Sequence, residues 1–130
     1  MHKGFLLSAT ILGAIAVGLG AFGAHGLKQI VPPETITTFD TGVRYQFYHV
    51  FALLVTGILY AKFPVKALRI AGTLFLIGIL FFSGSLYALT LLKATGSVGL
   101  GGIGIITPIG GVFFIAGWLS LFLGIWKSKN

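Results

Sequence analysis

The sequence predicts an all-α, polytopic membrane protein: four transmembrane helices in an antiparallel bundle, with a short outer interfacial helix before helix two. Three observations predict it. First, 56% of the 130 residues are hydrophobic and only 8% are charged, against about a quarter charged in an ordinary soluble domain. A single domain of this length leaves much of its surface exposed when folded, so this much apolar surface calls for lipid as the solvent. Second, the apolar residues fall into four stretches. Each is near the roughly 20 residues that a helix rising about 1.5 Å per residue needs to cross hydrocarbon. Third, the stretches do not alternate polar and apolar positions as barrel strands do. In lipid only helices and closed barrels satisfy their own backbone hydrogen bonds.

The first stretch, from about Phe5 to Ala24, follows a basic start at His2 and Lys3. Its apolar region exceeds the roughly 7–15 residues of a secretory signal, so it reads as a retained helix, with His2 a terminal residue without a role. The connection from His25 to Arg44 contains Pro32 and Pro33, and Glu34 onward reads as a helix start, with proline and an acid in the first turn. Thr35 to Arg44 is polar enough to lie at the interface. The second stretch, about Tyr45 to Ala61, is the shortest and could continue the segment that begins at Glu34. The loop Lys62 to Lys66 is short, which makes helices two and three antiparallel neighbours. The third stretch runs from about Ala67 to Leu92. A Gly-rich connection, Ala94 to Ile106, then leads to Thr107-Pro108, which reads as an N-cap followed by proline at the first helical position of the fourth stretch, about Thr107 to Trp126.

Orientation follows from the cations. With four spans, Lys3, Lys62, Lys66, Arg69, Lys127 and Lys129 share one side, and Lys28, Arg44 and Lys93 share the other. The side richer in Lys and Arg is expected to be cytoplasmic. Both termini then face the cytoplasm of a bacterial inner membrane, and Glu34 and Asp40 lie outside.

On this topology the polar motifs converge on the outer half. Gly20-Ala21-Phe22-Gly23-Ala24-His25 ends helix one, and Asp40, Arg44, Tyr45, Gln46, Tyr48 and His49 open helix two. Ser83, Ser85 and Tyr87 lie late in helix three, and Thr107 opens helix four. Asp40 and Arg44 are four apart and can pair. An arginine at membrane depth costs about 2.5–3.5 kcal/mol on insertion scales, so Arg44 snorkels, pairs or lines a polar cavity. It serves either as an interfacial anchor or as a binder of a lipid headgroup or small anion. His25 and His49 could relay protons, ligate haem or act as bases, or simply be satisfied structural histidines. Ala16-Gly20-Ala24 places a small residue at every fourth position, which suits close helix packing in lipid.

Other classes of function are weakly represented. The net charge is +7, but the cations sit singly or in small groups between apolar runs, without the basic stripe that nucleic acid requires. There is no cysteine, hence no thiolate metal site, disulfide or cysteine nucleophile. No carboxylate cluster accompanies the histidines for a metal. The Gly-rich connection lacks the Lys-Ser/Thr ending of a P-loop, and the serines lack a hydrolase context.

The motifs also resemble those of a known family. Gly20-Ala-Phe-Gly-Ala-His25, Thr41-Gly42 with Tyr45-Gln46 and His49, Phe82-Ser-Gly-Ser-Leu-Tyr87, Thr107-Pro-Ile-Gly-Gly111 and Phe114-Ile-Ala-Gly-Trp118 occur in this order. They make the chain similar, over nearly its whole length, to the YgdD/YwdK-like small inner-membrane proteins (domain of unknown function 423). The stretch Gly99 to Gly104 looks longer than in that family. The resemblance implies a four-helix inner-membrane protein without an established activity. Together the readings favour a non-enzymatic, cofactor-free protein that binds or organises membrane lipid. The expected polar site comprises His25, Asp40, Arg44, Tyr45, Gln46, His49, Ser83, Ser85, Tyr87 and Thr107. A small transporter or channel with a histidine-containing path is the alternative, and exposed small-residue faces could support a homo-oligomer.

Overall fold

The computed structural model describes residues 1–96 and 101–129 and is helical throughout, with no strand among the described residues. Helix α1 spans Lys3–Ala24, and a 3₁₀ turn follows at Leu27–Gln29. Helix α2 spans Pro33–Leu59. Helix α3, Lys66–Gly78, runs through a π-helical turn at Ile79–Ser83 into α4, Gly84–Ala94. Helix α5 spans Gly101–Lys127. Among the described residues, three stretches are long and apolar enough to cross a membrane: Lys3–Gln29, Lys66–Ala94 and Gly102–Lys127. Helix α2 matches them in length but carries Glu34, Asp40, Arg44, Gln46 and His49.

Several local expectations are corrected. No separate interfacial helix precedes helix two, because nothing between Glu34 and Tyr45 breaks the backbone and α2 is continuous. Thr107 is not an N-cap and Pro108 is not a first-turn residue. Helix α5 begins at Gly101 and carries Pro108 inside it. A proline there withdraws one N–H and can bend the helix, but the alternative in lipid is a run of unpaired amides. The Gly-rich connection is correspondingly short, and its residues 97–100 lie outside the described ones. His2 does have a structural part: its Nδ1 accepts the Phe5 N–H at 3.2 Å, capping α1, and its ring stacks on Phe5 at 3.7 Å.

Glycine sets how the helices meet. Helix α1 packs antiparallel along α2, with Gly13 against Val50 and Gly20 against Val43. The opposite flank of α2 meets the α3–α4 rod, and α5 packs on that rod. In α5, Gly110, Gly117 and Gly124 recur every seventh residue and face Phe82, Phe75 and Leu68, which step by seven in the other direction. The exchange is reciprocal, since Phe114 lies over Gly78. A seven-residue repeat keeps one seam of a helix facing its partner. Without a hydrophobic driving force in lipid, such close small-to-large packing supplies the association energy. Helices α2 and α5, by contrast, barely approach each other by backbone.

Candidate functional site

The polar residues named from sequence fall into three separate places. The first is the rim where α1 ends and α2 begins. Here Arg44 Nε pairs with Asp40 Oδ2 at 3.2 Å, both side chains more than half exposed. An exposed pair of this kind contributes about 0–1 kcal/mol. Asp40 also lines a recess of about 270 Å³ with Lys28, floored by Gly20 and Gly23. His25 is the C-cap of α1 and is exposed. By the α1–α2 register it lies about eleven residues, or roughly 16 Å, along the axis from the level of His49. The two histidines therefore do not face each other.

The second place is a buried polar seam joining α1, α2, α4 and α5. Tyr87 donates its hydroxyl to Gln46 Oε1 at 2.7 Å, and Gln46 Nε2 donates to the Leu12 carbonyl at 2.8 Å. Gln46 is 2% exposed, and the amide orientation follows from these partners. Ser83, in the π turn, donates to the Gly42 carbonyl at 2.7 Å. Gly42 has no side chain, so Tyr87 and Leu86 close over it; a Cβ there would sit 2.9 Å from Tyr87 Cε1. The Ser85 hydroxyl pairs with Thr107 Oγ1 and also donates to the Phe82 carbonyl. These groups satisfy one another, as buried polar atoms in an apolar surrounding must.

The third place is a lateral groove of about 580 Å³ between α2 and α5, opening where their backbones diverge. Tyr45, Tyr48, Phe82, Phe114 and Trp118 wall it around His49. His49 is held from every side. Its ring stacks on Phe114 at 3.5 Å and 7°. Nδ1 lies 2.7 Å from the Tyr45 carbonyl, and the Trp118 indole donates to Nε2 at 3.1 Å. Indole N–H only donates and a carbonyl only accepts, so both bonds are met only by neutral imidazole with its proton on Nδ1. Tyr45 closes the upper wall, 4.6 Å from Phe82 and 5.5 Å from Tyr48 between ring centres. Trp118, Ile115, Tyr45 and Tyr48 remain exposed, so the groove opens on the outer surface of the helices. Its volume is in the range of small-molecule sites, roughly 300–1,000 Å³.

The structure thus brings together Tyr45 with His49, Gln46 with Tyr87, and Ser85 with Thr107. It separates His25, Asp40 and Arg44 from all of them. Sequence reasoning missed Trp118 and Phe114 as site residues. Their signal was the four-residue aromatic spacing beside Gly111, which puts two large rings over one gap on a helix face. Among the described residues no group of three His, Cys, Asp or Glu side chains comes together.

Comparison with known proteins bears on the whole chain. It is 42% identical over 130 residues, covering 100% of this chain and 99% of the relative, to a UPF0382 membrane protein of Haemophilus influenzae. A UPF0382 membrane protein of Staphylococcus saprophyticus is 41% identical over 125 residues, covering 96% and 98%. The UPF0382 membrane protein YwdK of Bacillus subtilis is 39% identical over 126 residues, covering 96% and 98%. No solved structure matches. The model of the family described as "Protein of unknown function (DUF423)" matches residues 19–111, which takes in the rim, the seam apart from Leu12, and the α2 wall of the groove. With relatives of this identity along essentially its full length, the chain belongs to the DUF423 family of membrane proteins.

Proposed function

We propose that this protein is a four-span inner-membrane protein with both termini cytoplasmic, and that it acts without catalysis by seating a membrane lipid in the groove between α2 and α5. The observation that carries the reading is the groove itself: an aromatic-walled cleft of about 580 Å³ open to the bilayer, with a histidine locked at its base. Aromatic faces supply large, rigid contact area for an acyl chain or a ring, and Tyr45 and Tyr48, which line the groove, carry hydroxyls suited to a polar end.

The span count rests on length and register. Helix α2 has 27 residues, about 40 Å at 1.5 Å per residue, against a hydrocarbon core of roughly 30 Å. Its first two turns then stand in the headgroup region, and Asp40 and Arg44 fall at the boundary, where an arginine snorkels at little cost. Non-enzymatic action is supported by the engagement of each candidate reactive group. His49 uses both ring nitrogens, and Ser83 and Ser85 give their hydroxyls to backbone carbonyls. A proton path would need His49 to leave Trp118 and to communicate with a His25 lying roughly 16 Å away along the helix axis.

The test is lipid occupancy. A Cβ at Gly111 would have Phe82 Cδ2, 3.9 Å away, as its neighbour, so Gly111→Leu folds and fills the groove. In native mass spectrometry of the purified protein, one bound lipid of the wild type is expected to fall in occupancy at least about tenfold, the equivalent of roughly 1.4 kcal/mol. Arg44→Ala, outside the groove, keeps it. Full occupancy in Gly111→Leu overturns the reading.

A further inference from the structure

We propose a second lipid site at the opposite end of the molecule, built for a diacyl phospholipid of net negative charge. Two apolar grooves flank the N-terminal half of α3 and share Lys66 and Ile70. One, of about 440 Å³, lies toward Tyr60 and contains Arg69, Thr73 and Leu74. The other, of about 390 Å³, lies toward α5 and contains Ser120, Leu123 and Lys127. Each starts among cations and runs toward the middle of the bundle. Lys66 to Leu74 spans eight residues and Lys127 to Ser120 seven, so the grooves extend about 12 and 10 Å.

No acidic side chain offsets the charges at the head of these grooves. The chain has two acidic side chains, Glu34 and Asp40, and both lie in the far half of α2. Arg69 donates from Nη2 to the neutral Tyr60 hydroxyl at 2.8 Å, which fixes its direction without cancelling its charge. Lys66, Arg69 and Lys127 are exposed. A phosphate at Lys66 stands between Arg69 and Lys127, and the ridge at Ile70 sends one acyl chain down each groove. A zwitterionic lipid fits the grooves but gains no net attraction, whereas each cation near an anionic headgroup is worth about 1 kcal/mol, or about fivefold in binding. This site shares no lining residue with the α2–α5 groove.

The experiment titrates the delipidated full chain in detergent with dioleoyl-phosphatidylglycerol, its lyso form and dioleoyl-phosphatidylcholine, reading bound species by native mass spectrometry. We expect phosphatidylglycerol to bind at least about fivefold tighter than phosphatidylcholine, and tighter than its single-chain form. Lys66→Gln and Lys127→Gln reduce that preference toward one. Lys129→Gln, at the same end but outside both grooves, keeps it, as does Gly111→Leu. Equal binding of the two headgroups, an unchanged preference in both Lys66→Gln and Lys127→Gln, or an equal loss in Lys129→Gln overturns the proposal.

Discussion

Gly110→Ala is expected to destabilise the protein by about 3 kcal/mol, the upper part of the range for overpacking. A Cβ at this position falls on the backbone of Phe82, against its N and Cα atoms. A side chain in the way could turn aside, but backbone cannot, so α5 must move off the α3–α4 rod. Gly117→Ala meets the Phe75 ring at 2.7 Å and the Ala71 carbonyl oxygen only at contact distance, 3.4 Å, and is expected to cost less, about 1–2 kcal/mol. Gly18 has nothing within 4 Å of such a Cβ, and Gly18→Ala is neutral or gains a few tenths of a kcal/mol through reduced backbone freedom. Equilibrium unfolding in mixed micelles, followed by tryptophan emission, ranks the three. A Gly110→Ala protein as stable as Gly18→Ala would refute the close seam between α5 and the π turn.

Gln46→Leu is expected to cost about 2 kcal/mol, and adding Tyr87→Phe is expected to return about half of it. The single substitution leaves the Tyr87 hydroxyl facing an apolar side chain, and an unsatisfied buried donor costs roughly 1–3 kcal/mol. The Leu12 carbonyl loses Gln46 Nε2 but keeps its place in the α1 ladder, so it adds little. Replacing both partners by apolar groups of similar shape removes the stranded hydroxyl and is close to neutral for that pair. Hydrogen bonds between helices in membranes average about 0.6 kcal/mol and reach about 1.7, so the recovery reports whether this one lies at the strong end. Additive losses in the double variant, measured by the same unfolding, would mean that Tyr87 and Gln46 do not bond across α2 and α4.

The apolar spans were legible because composition and length suffice for them: α1, the α3–α4 rod and most of α5 follow from runs of some twenty residues without charge. Helix ends were less so. Thr107-Pro108 carries the local signal of a helix start, yet in lipid the preceding amides need partners, and the helix begins at Gly101 instead. The merging of the Glu34 segment with α2 has the same cause. The π turn at Ile79–Ser83 left no mark in the sequence, since it arises where Ser83 reaches the Gly42 carbonyl of another helix.

The site was legible residue by residue but not as an arrangement. Gln46, Tyr87, Ser85 and Thr107 stood out as polar groups in apolar surroundings, and buried polar groups in lipid must find partners. Which partner each finds depends on register between helices 22 to 41 residues apart in sequence. The Gly110, Gly117, Gly124 heptad and the matching Phe82, Phe75, Leu68 ladder contain that register, and it becomes readable only once α3 is known to run against α5. Trp118 and His49 are 69 residues apart and meet because that seam aligns them.

The central claim is that α2 crosses the bilayer, carrying Gln46 and His49 inside it. The chain has no native cysteine, so single cysteines at Lys28 and Lys62, both exposed, report on the two ends of α2 directly. Labelling intact spheroplasts with a membrane-impermeant thiol reagent is predicted to modify Lys28→Cys and spare Lys62→Cys, with the pattern reversed in inverted vesicles. Modification of both positions from the same side would contradict the account.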